Sequence, residues 1–266
     1  MPKFRAFLIL VLSLALFSAC KPQANNITPD GAGQILQLRG YGVNAKGYFN
    51  AIEAEDLAAI RTFFQAGIDP NLVNEKGETP LTFAIGCCKI KTIKALLEKV
   101  DVNRRNKEGN SPLYLAFREN KREIFDLLLE SNADVKVPGN NNRTVLHLAA
   151  AYDDVELVQK LIERGADVNA VDDIDGDIPL IQTCLGNYRQ MEMIKLLLDK
   201  GAEINHQGNN KATCLFYVAA AGHTEVVREL LNRGADPKIR DSKGKTALDR
   251  ALKNNRKEVA TLLRAK

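Results

Sequence analysis

Residues Thr144 to Asn169 read TVLHLAAAYDDVELVQKLIERGADVN, and this stretch decides the fold. Thr144 opens a helix, because a hydroxyl at that place accepts a backbone N–H that the first turn leaves orphaned. Ala149, five residues on, is small enough to let a neighbouring helix approach closely. The apolar pair Leu161-Ile162 follows in a second helical run. Gly165 then ends that run, since a left-handed cap position carries no steric penalty for glycine. Two short helices and a turn are too small to bury a core alone, so a unit of this kind has to stack on copies of itself.

The copies are present. Thr79-Pro80-Leu81, Ser111-Pro112-Leu113, Thr144-Val145-Leu146, Ile178-Pro179-Leu180, Thr213-Cys214-Leu215 and Thr246-Ala247-Leu248 begin 32, 33, 34, 35 and 33 residues apart. Pro suits the first helical position after the capping hydroxyl. Ala84, Ala116, Ala149, Thr183, Val218 and Ala251 hold the small place. Leu96-Leu97, Leu128-Leu129, Leu161-Ile162, Leu197-Leu198, Leu230-Leu231 and Leu262-Leu263 hold the apolar pair, the last shifted by one. Asn132 takes the place of the closing glycine in one unit. An earlier degenerate unit retains Ala51, Phe63-Phe64 and Ala66-Gly67-Ile68-Asp69-Pro70-Asn71.

The period and the Leu146-His147-Leu148-Ala149 signature resemble the ankyrin-repeat family. The resemblance implies an all-α solenoid of about seven helix-turn-helix repeats with β-hairpin or loop tips. The repeats fall near residues 46–78, 79–110, 111–143, 144–177, 178–212, 213–245 and 246–266. It also implies that the tips and the exposed side of the first helices line a concave binding face.

Ahead of the repeats, Lys3 and Arg5 precede the uncharged run Ala6 to Ala19, AFLILVLSLALFSA. Fourteen residues are too few to span a bilayer core, which takes about twenty in a helix. A positive start, a short apolar run and small residues at its end are the parts of an export signal. Leu16-Phe17-Ser18-Ala19-Cys20 resembles a bacterial lipobox, although Phe17 stands where Leu is usual. The resemblance implies a signal peptide over 1–19 and lipidation of Cys20. Acyl chains contribute about 0.8 kcal/mol per buried methylene, so several chains hold a protein firmly to a membrane. By resemblance to Gram-negative lipoproteins, Lys21 after the cysteine implies the outer membrane facing the periplasm, with the inner membrane or the cell surface as alternatives. The Pro-, Gly-, Asn- and Gln-containing stretch to residue 45 is expected to be a flexible tether.

Lys and Arg number 37 against 33 Asp and Glu. Removing Lys3 and Arg5 with the signal leaves 35 against 33, a balance that does not suggest nucleic-acid binding. Residue patterns that carry catalytic chemistry are equally sparse. His147 and His223 stand at family places, and His206 lies in a tip with no evident partner. The chain lacks a serine elbow, paired zinc-type ligands and a phosphate loop. Asp172-Asp173-Ile174-Asp175-Gly176-Asp177 lacks the glutamate of a calcium loop at the twelfth place. No catalytic residue, metal or cofactor is expected. Cys87-Cys88 read as two small helix-end residues. Cys184 and Cys214 lie in adjacent units but at different ends of their first helices, so a long-range disulfide is not expected.

What remains is surface. The tips carry formal charges of −1 (Val73–Glu78), +2 (Arg104–Asn110), +2 (Lys136–Arg143), −4 (Ala170–Asp177), +1 (His206–Ala212) and +3 (Lys238–Lys245). Alternating patches of this kind steer and register a partner of complementary charge. Phe83, Tyr152, Leu185 and Tyr217 occupy exposed helix places of the family, where core packing and partner contact both remain open. In the fifth unit Leu185-Gly186-Asn187-Tyr188-Arg189-Gln190 makes a turn two residues longer than its neighbours'. The candidate contact residues are therefore Phe83, Tyr152, Asp172, Asp173, Asp175, Asp177, Leu185, Tyr188 and Tyr217. The expected function is that of a monomeric, lipid-anchored binder of a protein partner in the bacterial envelope, as adaptor or stabiliser. Inhibition of a periplasm-acting toxin such as a secreted phospholipase is the alternative, and enzyme activity the weakest of the three.

Overall fold

The computed structural model of the chain describes residues 28–186 and 191–265, in which fifteen α-helices and no strands are found. A first helix, α1 (Pro29–Leu38), precedes seven helix pairs. These are α2 (Ala45–Glu53) with α3 (Leu57–Gln65), α4 (Pro80–Cys87) with α5 (Ile90–Leu96), α6 (Pro112–Arg118) with α7 (Arg122–Glu130), and α8 (Val145–Ala151) with α9 (Val155–Glu163). α10 (Pro179–Leu185) with α11 (Met191–Asp199), α12 (Cys214–Ala221) with α13 (Thr224–Asn232), and α14 (Ala247–Lys253) with α15 (Lys257–Arg264) complete the stack. None of the described helices is long and apolar enough to cross a membrane.

The local chemistry follows from the repeat. The Thr79 hydroxyl accepts from the Thr82 N–H, and the Thr82 hydroxyl takes the Thr79 N–H in return, a reciprocal capping box. Thr246 and Asp249 repeat the device at α14. Ile178 has no hydroxyl to offer, and α10 begins on Pro179 without a side-chain cap. Gly165 has φ +88° and Asn132 φ +60°, so asparagine does take over the left-handed closing place. Ala84, Ala116, Ala149 and Ala251 are wholly buried, and so are Leu96, Leu128, Leu161, Leu197 and Leu230 of the apolar pairs. Each such leucine contributes about 1.5–3 kcal/mol by leaving water.

Two ladders tie repeat to repeat. Tips are joined by backbone bonds: Lys107 N–H donates to Gly77 O (2.8 Å), Asp173 N–H to Asn141 O (2.8 Å), Asn209 N–H to Asp175 O (2.6 Å) and Ser242 N–H to Asn210 O (2.7 Å). At the base of the tips, Asn71, Asn103, Asn169 and Asn205 each accept through Oδ1 from the backbone N–H of Asp101, Asp134, Glu203 and Asp236 in the following repeat, at 2.7–2.9 Å. Lys136 stands where the third repeat would place the same asparagine, and the ladder is interrupted there. A cleft of about 400 Å³ opens at this junction, lined in part by Lys136, Asn142, Asp167 and Asn169.

The expectation of a flexible tether over 20–45 is corrected over part of its length. Thr28-Pro29 starts α1 with a capping bond from Gly31 N–H to the Thr28 hydroxyl (3.2 Å). Ala32 and Leu36, four residues apart on one face, are wholly buried against α3. Arg39 then grips Asp56 with bonds of 3.1 and 2.9 Å, and Tyr41 lies edge-on to Phe63. Linker-like composition conceals a single-faced helix that needs only two buried side chains to dock. The first repeat also starts earlier than Lys46, since its cap is Asn44, which accepts from Gly47 N–H at 2.9 Å.

Candidate partner-binding face

From α8 onward, successive first helices lie closer together than successive second helices. The small residue at the sixth place permits this approach, and the stack bends with the first helices on its inner side. On that inner side the aromatic candidates separate. Phe83 is half-buried, its ring 5.3 Å from that of Phe49 in a T-shaped pair, which makes it part of the packing. Tyr217 is half-buried too, its hydroxyl accepting from Asn210 Nδ2 at 2.6 Å. Tyr152 is 72% exposed and Leu185 44% exposed, and these two are the open apolar positions. Tyr152 leans toward Phe117, centroids 6.1 Å apart. Tyr188 and Cys20 lie outside the described residues.

Of the four aspartates expected to contact a partner, the structure exposes only two. Asp172 is buried: its Oδ1 accepts from the N–H groups of Ile174 (3.2 Å), Asp175 (3.0 Å) and Asp177 (3.4 Å), and Arg143 lies 3.8 Å from its Oδ2. Asp177 is buried as well and accepts from Gln182 Nε2 at 3.1 Å. Burial, with the negative charges of Asp172 and Asp175 nearby, pushes the Asp177 carboxyl up to about 6. These two aspartates shape the tip. Only Asp173 and Asp175 are exposed to solvent.

Two of the three histidines, His147 and His206, bind neighbouring backbone. The Thr144 N–H donates to His147 Nδ1 (3.2 Å), which leaves the proton on Nε2 to be donated to Asp177 O (3.1 Å). Burial holds the His147 imidazolium pKa below its usual range. His206 is not without a partner, since its Nε2 lies 2.8 Å from Gly176 O in the preceding tip. His223 stands at the N-terminal cap position of α13 without a side-chain capping bond, its Nε2 buried and unbonded. Among the described residues no group of three or more His, Cys, Asp or Glu could hold a metal ion.

The cysteines bring a second correction. Cys184 and Cys214 form a disulfide across 30 residues, with Cα atoms 5.4 Å apart and both side chains buried. Their places at different ends of their own first helices argue against a bond on sequence alone. The structure instead brings the next-to-last residue of α10 against the first residue of α12. Cys87 and Cys88 are free, with Sγ atoms 2.7 Å apart at the end of α4; burial raises both thiol pKa values.

Sequence reasoning missed a basic cleft at the far end of the same face. Lys243 and Lys245 from the last tip, with Arg250 and Lys253 from α14, line a cavity of about 420 Å³. A neighbouring cavity of about 310 Å³ adds Phe216, Tyr217 and Asn254. The +3 tip is a signal, but Arg250 shows only when the place of Phe83 and Tyr217 is carried forward one more repeat.

Comparison with known proteins agrees with this architecture. The family model described as ankyrin repeats (3 copies) matches residues 49–139, 136–208 and 180–266. Protein glp-1 of Caenorhabditis elegans is 30% identical over 173 residues, 60% of this chain and 13% of its own. The B-cell lymphoma 3 protein homolog of Mus musculus is 31% identical over 147 residues, 54% of this chain and 32% of its own. The putative ankyrin repeat protein FPV022 of fowlpox virus is 29% identical over 203 residues, 76% of this chain and 32% of its own. This chain thus spans a third or less of the length of each of these three. The chain belongs to the ankyrin-repeat family.

Proposed function

We propose that this chain is a lipid-anchored protein of the bacterial envelope that holds a protein partner on its inner-helix face. Ankyrin repeats imply protein–protein interaction, and no catalytic family is indicated. The observation that carries the binding reading is the make-up of that face. Open apolar side chains at Tyr152 and Leu185 lie on it, with exposed carboxylates at Asp173 and Asp175 and exposed lysines two repeats further on. Apolar anchors flanked by charges of both signs suit a folded or extended protein surface. The compartment is supported by the lipobox-like sequence ending at Cys20 and by the buried Cys184–Cys214 disulfide, since such bonds persist where thiols are not kept reduced.

The test is capture by the full chain from envelope and secreted extracts, wild type beside D173K/D175K. Asp172 and Asp177 are left untouched because they hold the tip together. Retention of one protein by the wild type and its loss from the variant supports the reading, and the identity of that protein separates an adaptor from a toxin inhibitor. Equal retention by both would remove the acidic tip from the contact. Membrane association that survives C20S would remove the anchor.

A further inference from the structure

We propose that the cleft formed by the last two repeats binds an acidic segment of a protein chain, with an apolar side chain of that segment seated beside Tyr217. This rests on the reading that the inner-helix face binds protein, and gives that face a ligand chemistry and a direction.

Three ammonium groups converge on the cleft: Lys243, Lys245 and Lys253, all exposed. Among the described residues none of the three makes an ion pair, and the carboxylates beside them are engaged elsewhere. Asp241 is buried and accepts from the N–H groups of Lys243 (2.9 Å) and Lys245 (2.8 Å) and from Arg250 (3.0 Å). Asp249 accepts from the Thr246 N–H (2.8 Å) and hydroxyl (3.0 Å). Arg250 is fixed between Asp241 and the Phe216 ring, whose centroid is 4.8 Å from its guanidinium carbon. Folding therefore leaves the cleft with an excess of positive charge and, among the described residues, three lysines outside any ion pair, and a partner carboxylate is the complementary group.

An extended anionic surface fits poorly. Asp173 and Asp175 stand exposed on the same side two repeats away and would repel a bilayer or a uniform polyanion. A peptide can carry acidic residues at one end and basic residues at the other. Helices stacked about 8–10 Å apart put the two charged regions roughly 20 Å from each other. An extended chain covers that distance in about six residues. The partner segment is thus directional, with acidic residues over repeats six and seven and basic residues over the tip ahead of repeat five.

The probe is a fluorescent synthetic peptide carrying a glutamate cluster next to a phenylalanine, then a spacer of about six residues and a lysine pair. Its binding to the full chain is followed by anisotropy at low salt. K243E/K245E/K253E is expected to weaken binding roughly tenfold or more, and the corresponding glutamine triple by less. D173K/D175K is expected to weaken the intact peptide but not one whose lysines are alanine, which isolates the second contact. Because Lys245 favours the Asp249 carboxylate, the thermal midpoint of each triple is measured beside its binding, and the glutamine triple, which adds no negative charge, is expected to melt close to wild type. No binding by wild type at millimolar peptide, or equal binding by the glutamate triple, overturns the proposal. So does a heparin fragment that binds more tightly than the peptide and is lost in the same triple, since that would make the cleft an anionic-glycan site. Lost peptide binding with partner capture intact would move the contact off these repeats. Peptide binding that behaves as expected while no protein is captured supports the cleft and counts against the envelope-partner reading alone.

Discussion

His147 in the fourth repeat donates its Nε2 proton to the backbone carbonyl of Asp177, 3.1 Å away in the tip that opens the fifth. One side chain thereby joins its own helix cap, through the Thr144 N–H, to the next repeat. The two residues titrate in opposite senses. His147 is held neutral by burial, so its contribution is complete above the ordinary imidazole range and is lost as pH falls. Asp177 is raised to about 6, so its contribution is complete below the ordinary carboxylate range and is lost as pH rises through 6.

D177N should separate them. Asparagine keeps an acceptor for Gln182 and carries no charge to bury. At pH 7.5 the variant should be the more stable by on the order of 1–3 kcal/mol, since each tenfold difference in proton affinity between folded and unfolded chains is worth about 1.4 kcal/mol. The gain should shrink to about a third of that at pH 4.5 and vanish only below the ordinary carboxylate range. Urea midpoints of both proteins at the two pH values check this, and an equal difference at both would contradict it.

The interrupted asparagine ladder yields a stabilising substitution. Among the described residues the Asp167 N–H finds no acceptor, whereas Asp101, Asp134, Glu203 and Asp236 at the matching places do. K136N should supply one and raise stability by about 0.5–1.5 kcal/mol, the net worth of a hydrogen bond. N103A should lower it by a similar amount. Denaturant unfolding of both variants decides, and a K136N protein no more stable than wild type would show that the junction is held open by something else.

The disulfide predicts a thiol count. In unfolded, unreduced protein Cys87 and Cys88 should react with a maleimide while Cys184 and Cys214 do not, until a reductant is added. C184A/C214A should lose about 2–4 kcal/mol, as expected when a bond closing a loop of this size is removed. Mass spectrometry of the labelled chain gives the count directly.

Helix α1 should behave as part of the fold. Asp56 accepts from Arg39 and also caps α3 through the Ala59 N–H at 3.0 Å. D56A removes both roles and should cost about 1–2 kcal/mol. Beginning the chain after Gly40 should cost more, by uncovering the α3 face that Leu36 buries. Amide exchange in α1 as fast as in a free peptide would contradict docking.

Helix starts, closing glycines, the small sixth place and the apolar pairs are legible because each is local chemistry repeated in phase. Thr79, Ala84, Leu96 and Gly165 can be read one at a time and checked against their neighbours one repeat away. What escapes depends on relations between repeats or on burial. Cys184 and Cys214 meet across neighbouring repeats although they hold different places in their own units. Asp172 and Asp173 are adjacent aspartates, yet one is buried under three backbone donors and the other is exposed. α1 has no counterpart in the repeat, and its composition alone suggests a linker. The basic cleft needs both the tip and the register of α14.

Binding of protein on the inner-helix face is open to a direct test in cells. The most direct measurement is photocrosslinking in cells from a benzophenone amino acid placed at Tyr152, exposed on that face, and at Gln159, exposed on α9. One defined protein adduct is expected from position 152 and none from 159. An adduct from 159 with none from 152 would contradict binding on that face.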